Sequence, residues 1–90
     1  MLKQYYIDLI SRLYKVLVWY ENYPNAFKAY VKNLKIEIRG NEDYSSIQRV
    51  YYLLNYLSIT PMDELEHKIV KKITLDSIGI IDEILSNWKE

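Results

Sequence analysis

Apolar residues in the first twenty positions recur at Leu2, Tyr6, Leu9, Leu13, Val16 and Tyr20. These alternating steps of four and three keep them on one side of an α-helix. Ile10 and Leu17 widen the stripe, and Gln4, Asp8, Arg12 and Lys15 oppose it. Ile7, Tyr14, Val18 and Trp19 add apolar surface on its flanks. A helix so apolar around its circumference is packed from two sides in a bundle or meets a partner. The pattern breaks at Tyr23-Pro24, because a residue before proline is biased out of the α region while proline suits a first helical turn. A second helix, Pro24–Arg39, then turns Phe27, Tyr30, Val31, Leu34 and Ile38 inward, with Lys28, Lys32, Lys35 and Arg39 as a basic stripe beside them. Leu34 to Arg39 also alternates with period two, as a strand would, but no clear partner strand exists elsewhere. Gly40 is expected as a left-handed C-terminal cap.

Asn41 to Ser45 is a polar, acidic loop in which Asp43 or Ser45 can cap a third helix, Ser45–Ser58. That helix turns Ile47, Val50, Tyr51, Leu54 and Leu57 inward. Thr60-Pro61-Met62-Asp63 carries the start signal of a fourth helix reaching Trp88: a threonine cap, proline at the first position and an acid at the third. Its apolar positions run through Leu65, Ile69 and Ile73, and Ile73, Ser77, Ile80 and Ile84 continue the same spacing. Thr74, Ser77 and Gly79 lower helix propensity, so the segment is either one bent helix or two meeting near Thr74. The expected fold is all-α, a compact antiparallel four- to five-helix bundle forming a single domain over 1–90. Leu9, Leu13, Val16, Leu34, Leu54, Ile69 and Ile84 are expected in its core.

Composition narrows the function more by exclusion than by assignment. Ninety residues, half of them apolar, suffice for one globular core that buries about 60–65% of the unfolded surface. With no cysteine there are neither disulfides nor thiolate metal sites, which is compatible with a reducing compartment. The longest apolar runs, such as Val16–Tyr20, are five residues, far short of the ~20 that span a bilayer. Lys3, Gln4, Asp8 and Arg12 interrupt any signal-peptide core, so a soluble, cytoplasmic protein without a membrane partner is expected. The net charge is zero but uneven. Through Arg39, seven bases face three acids, whereas from Gly40 to His67 a single base, Arg49, faces five acids. A general polyanion-binding role is therefore disfavoured, while a dipolar surface that steers a charged partner is compatible.

No catalytic constellation emerges. Glu64 and His67 have the Glu-x-x-His step of carboxylate-bridged metal helices, but His67 is the only histidine and no second copy exists. There is no glycine-rich phosphate loop and no nucleophile–base arrangement. The chain is thus expected to be no enzyme and to use no metal or cofactor. The basic stripe Lys28, Lys32, Lys35 and Arg39 has the spacing to track a phosphate backbone, against the ordinary alternative of a solvated helix face.

Tyrosine is the unusual feature, with ten in the chain. Tyr6, Tyr20 and Tyr51 fit boundary positions with hydroxyls turned to water. Tyr44, Tyr52 and Tyr56, with Tyr5 and Tyr23, include several that fall off the core stripes, and exposed aromatic clusters mark contact sites. The size, the all-helical plan, the lack of cysteine and the Tyr51-Tyr52 pair on a short third helix resemble small bacterial toxin-immunity proteins of the colicin-nuclease type. In that family a tyrosine pair on the third helix and acids on the second block the toxin; here helix two is basic, and no proline follows the pair. The resemblance implies a protein that binds and neutralises a toxin or enzyme. The expected contact residues are Tyr44, Arg49, Tyr52 and Tyr56, with Glu42 and Asp43 as a charged rim that would mimic phosphate toward a nuclease cleft. Two alternatives stand beside it: a nucleic-acid-binding or regulatory module using Lys28, Lys32, Lys35 and Arg39, and a self-associating protein that buries Ile7, Tyr14 and Val18 in a homodimer.

Overall fold

In the computed structural model, residues 2–89 are described and form four α-helices: α1 (Leu2–Asn22), α2 (Pro24–Arg39), α3 (Tyr44–Ile59) and α4 (His67–Ser86). A short 3-10 turn, Met62–Glu64, precedes α4. Each helix packs against two others in a ring, α1 on α2 and α4, α3 on α2 and α4, and among the described residues no backbone approach within 8 Å joins the diagonal pairs. Short connections make all four neighbouring pairs antiparallel, as expected for an up-down-up-down bundle. The α2–α3 loop and the residues after α4 share one end with the start of α1, and the other two connections lie at the opposite end.

The α1 stripe is buried where its spacing places it, through Tyr6, Leu9, Leu13 and Val16. Tyr23 alone joins α1 to α2, at φ −137° and ψ 58°, the non-helical backbone that Pro24 imposes. Leu34 to Arg39 is helical, and Leu34 and Ile38 join the core. Gly40 departs from the expected left-handed cap: its φ is −84°, and α2 closes right-handed with Gly40 N–H bonded to Ile36 O and Asn41 N–H to Ile38 O. Asp43 occupies the position before α3, but its carboxylate accepts the Tyr6 hydroxyl and the Ser46 hydroxyl rather than capping backbone amides.

Two expectations for the last third are corrected. Thr60-Pro61 does not open the fourth helix. Thr60 closes α3, its hydroxyl and its amide both donating to Tyr56 O. The chain then runs through the 3-10 turn and extended Leu65 and Glu66 before α4 begins at His67. The cause is Leu65, only 2% exposed, which enters the core from an extended segment whose carbonyl accepts the Tyr20 hydroxyl.

The second correction is one of register. α4 is continuous through Thr74–Gly79 and ends at Ser86. Its buried face is Val70, Ile73, Thr74, Ser77, Ile78 and Ile81, so Ile69 and Ile84 are half-buried rather than core. The expected spacing included Ser77 but passed over Thr74, and both polar residues face inward, with Val70, Ile78 and Ile81 taking the core places expected of Ile69, Ile80 and Ile84. The Thr74 and Ser77 hydroxyls are buried without a hydrogen-bond partner among the described residues. Thr74→Val keeps the side-chain shape and removes that unmet demand, so it should stabilise the fold by about 1 kcal/mol in thermal unfolding. A loss of stability would mean that the hydroxyl is bonded after all.

Candidate protein-binding face

The third helix, YSSIQRVYYLLNYLSI, contains no acid and one base, Arg49. Burying Ile47, Val50, Leu54 and Leu57 fixes what the rest of the helix does. Tyr44, Tyr51 and Asn55 lie toward α2, Tyr52 and Ile59 point outward, and Arg49 and Tyr56 lean toward α4. Tyr52, Tyr56 and Ile59 are 60%, 45% and 68% exposed, a run of large apolar groups along the outside of one helix.

On the α2 side, the basic stripe and the tyrosines meet. The Arg39 guanidinium lies 4.4 Å over the Tyr44 ring, and Lys35 Nζ lies 5.9 Å from the Tyr51 ring centre while donating to Asn55 Oδ1 at 3.0 Å. Tyr51 meets Tyr44 and Tyr52 edge to face, at 5.6 and 5.4 Å between centroids. Such contacts of a cation with a ring and of one ring with another hold the side chains in defined orientations. Lys32 is exposed beside them. On the α4 side, Arg49, Tyr52 and Leu53 line an open groove whose far wall is Leu75, Asp76, Ile80 and Glu83.

Several sequence-selected residues lie elsewhere or are already engaged. Lys28 is drawn out of the basic stripe: its ammonium donates to Leu57 O at 2.5 Å, to Ser58 O at 3.3 Å and to Thr60 O, neutralising the carbonyl end of α3. Burial lowers its pKa from the usual lysine value. Asp43 is half-buried and bonded to Tyr6, so the acidic rim is reduced to the exposed Glu42. The off-stripe tyrosines do not gather in one patch. Tyr5 has a buried hydroxyl and a pKa raised by that burial, while Tyr23 is exposed at the α1–α2 junction against Trp19. Tyr6 is fully buried and Tyr20 donates to a core carbonyl, so neither turns its hydroxyl to water. His67 faces Glu21, 2.5 Å away, rather than Glu64. Among the described residues no group of three or more histidine, cysteine, aspartate or glutamate side chains is placed to hold a metal ion.

Sequence reasoning missed Ile59 and Leu75, which enlarge the exposed apolar area beside the tyrosines. Ile59 carried a weak signal, as an isoleucine one residue past the last expected helical position. Among the described residues no helix is long and apolar enough to cross a membrane. No family model, curated protein or solved structure matches the chain.

Proposed function

We propose that the protein acts by binding another protein through the outer face of α3, as an immunity or inhibitor protein that occludes a toxin or enzyme. The observation that carries this reading is the outward row Tyr52, Tyr56 and Ile59, large apolar groups left exposed where the fold does not need them. Tyrosine is enriched at protein contacts because it buries a large ring at low entropic cost and keeps a hydroxyl for a hydrogen bond. The fixed orientations of Tyr44 and Tyr51 behind that row add support, since a preorganised surface loses less freedom on binding. The neutralising role rests on the third-helix tyrosine pair and is the finer part of the proposal.

Capture from the source cell, read together with the neighbouring genes, is the test. Tyr52→Ala/Tyr56→Ala should lose partner binding by at least about 100-fold while the helical circular-dichroism signal stays unchanged. Full affinity in the double variant would remove the face from consideration. A second reading is favoured by Ile7, Tyr14 and Val18, which lie exposed along the outer side of α1 and would seat a second copy of the chain. Sedimentation of the purified protein separates the two, because a monomer at all concentrations removes self-association.

A further inference from the structure

The two helices that build the candidate face are electrostatically one-sided. Together α2 and α3 hold Lys28, Lys32, Lys35, Arg39 and Arg49 against one acid, Glu37, which is turned to α1 and paired with Arg12. With Lys28 committed to the end of α3 and Arg49 leaning toward α4, the cations on the α2 side of the tyrosines are Lys32, Lys35 and Arg39. At the loop end of this flank Glu42 is exposed, while Asp43 beside it is half-buried and bonded to Tyr6.

We infer that the α2–α3 flank docks an acidic protein segment, whose carboxylates meet Lys32, Lys35 and Arg39 while its apolar atoms lie on Tyr51 and Tyr52. This rests on the protein-binding reading above and specifies its partner. A sixteen-residue helix is about 24 Å long. A flank of that length fits a segment on the order of seven extended residues. A longer polyanion would run onto the like charge of Glu42 at the loop end.

The same geometry selects against single-stranded nucleic acid. Binding of that kind stacks bases on open aromatic faces. Here Arg39 and Lys35 already lie over Tyr44 and Tyr51, and those rings meet their neighbours edge to face, which leaves Tyr52 as the exposed ring of the set. What the flank offers outward is cations and the rim of the tyrosine rings, an arrangement suited to carboxylates beside apolar side chains.

The test titrates the isotope-labelled full chain with heptaglutamate and, separately, with heptathymidylate. Heptaglutamate should move the backbone amide resonances of Lys32–Arg39 and Tyr44–Asn55, and its binding should weaken as salt rises. Lys32→Gln/Lys35→Gln/Arg39→Gln should weaken it by about tenfold. Tighter binding of heptathymidylate at the same flank would replace the inference with a nucleic-acid one. Equal shifts at Lys68, Lys71 and Lys72 on α4, or no shifts at all, would overturn it, and the wild-type shift map decides this even where the triple variant folds poorly. The two proposals fail separately. If Tyr52→Ala/Tyr56→Ala loses the cellular partner while the triple variant keeps it at full affinity, protein binding stands and the acidic partner falls. If heptaglutamate occupies the flank but partner capture ignores Tyr52 and Tyr56, the outer face of α3 falls instead.

Discussion

Replacing Leu13 by alanine should lower the free energy of unfolding by about 2–5 kcal/mol. Leu13 is fully buried near the middle of α1, the helix that packs against both α2 and α4. The substitution removes three carbons from a site walled on two sides by other helices. The lost transfer energy is therefore joined by the cost of a cavity that cannot readily collapse. A domain of this size is stable by only about 5–13 kcal/mol, so one such change takes a large share of the total. Urea unfolding followed by circular dichroism measures it as a lowered midpoint at unchanged slope. Ile7, on the same helix but 45% exposed, is the control, and Ile7→Ala should stay within about 1 kcal/mol. Equal losses from the two variants would mean that α1 does not present the face described here.

The same contrast explains how far the fold could be read in advance. Where a helix buries only aliphatic and aromatic residues, spacing alone finds its inner face, as at Leu9, Leu13 and Val16 or Leu34 and Leu54. The Tyr23-Pro24 junction was legible because proline acts on its neighbour's backbone whatever the tertiary surroundings. α4 was harder to place. The expected spacing started from Leu65, which lies outside the helix, and passed over Thr74, so it put Ile69 and Ile84 in the core when both are only half-buried. The Thr60-Pro61 signal was chemically sound as a helix start, but burying Leu65 required extended backbone, and tertiary packing overrode the local preference.

For the candidate face, the exposure of Tyr52 and Tyr56 was legible because both fall off the inner stripe of α3. Their meeting with the basic stripe was not. Periodicity says which residues share one side of one helix and is silent on which side of a neighbour they face. Lys28 and Arg39 show this: the two are eleven residues apart on one stripe, yet one closes the carbonyl end of α3 and the other lies over Tyr44. The charge of Asp43 was equally visible in the sequence, while its engagement by Tyr6, thirty-seven residues away, depends on the packing of the bundle end.

That engagement supports the second large effect. Tyr6→Phe should cost about 1.5–3 kcal/mol, the range for a hydrogen bond to a charged acceptor. The phenylalanine ring keeps the edge contacts with Tyr5 and Trp88, so the loss isolates the hydroxyl that ties α1 to the α2–α3 loop. Tyr6 is fully buried, and that burial first, then the Asp43 carboxylate beside it, pushes its pKa above the usual tyrosine range. The unfolded chain releases this proton near pH 10, whereas the folded chain holds it to higher pH. Above pH ~10 the folded state therefore binds more protons, and stability falls as pH rises toward the folded pKa. The advantage of the natural protein over Tyr6→Phe should accordingly hold from neutral pH to pH ~10 and shrink above it, in urea unfolding repeated along an alkaline series. Tyr30, whose pKa burial also raises, is present in both proteins and cancels from the difference. If the two proteins unfold at the same urea concentration at neutral pH, the Tyr6–Asp43 bond contributes nothing to the fold, and the end of the bundle is held by ring packing alone.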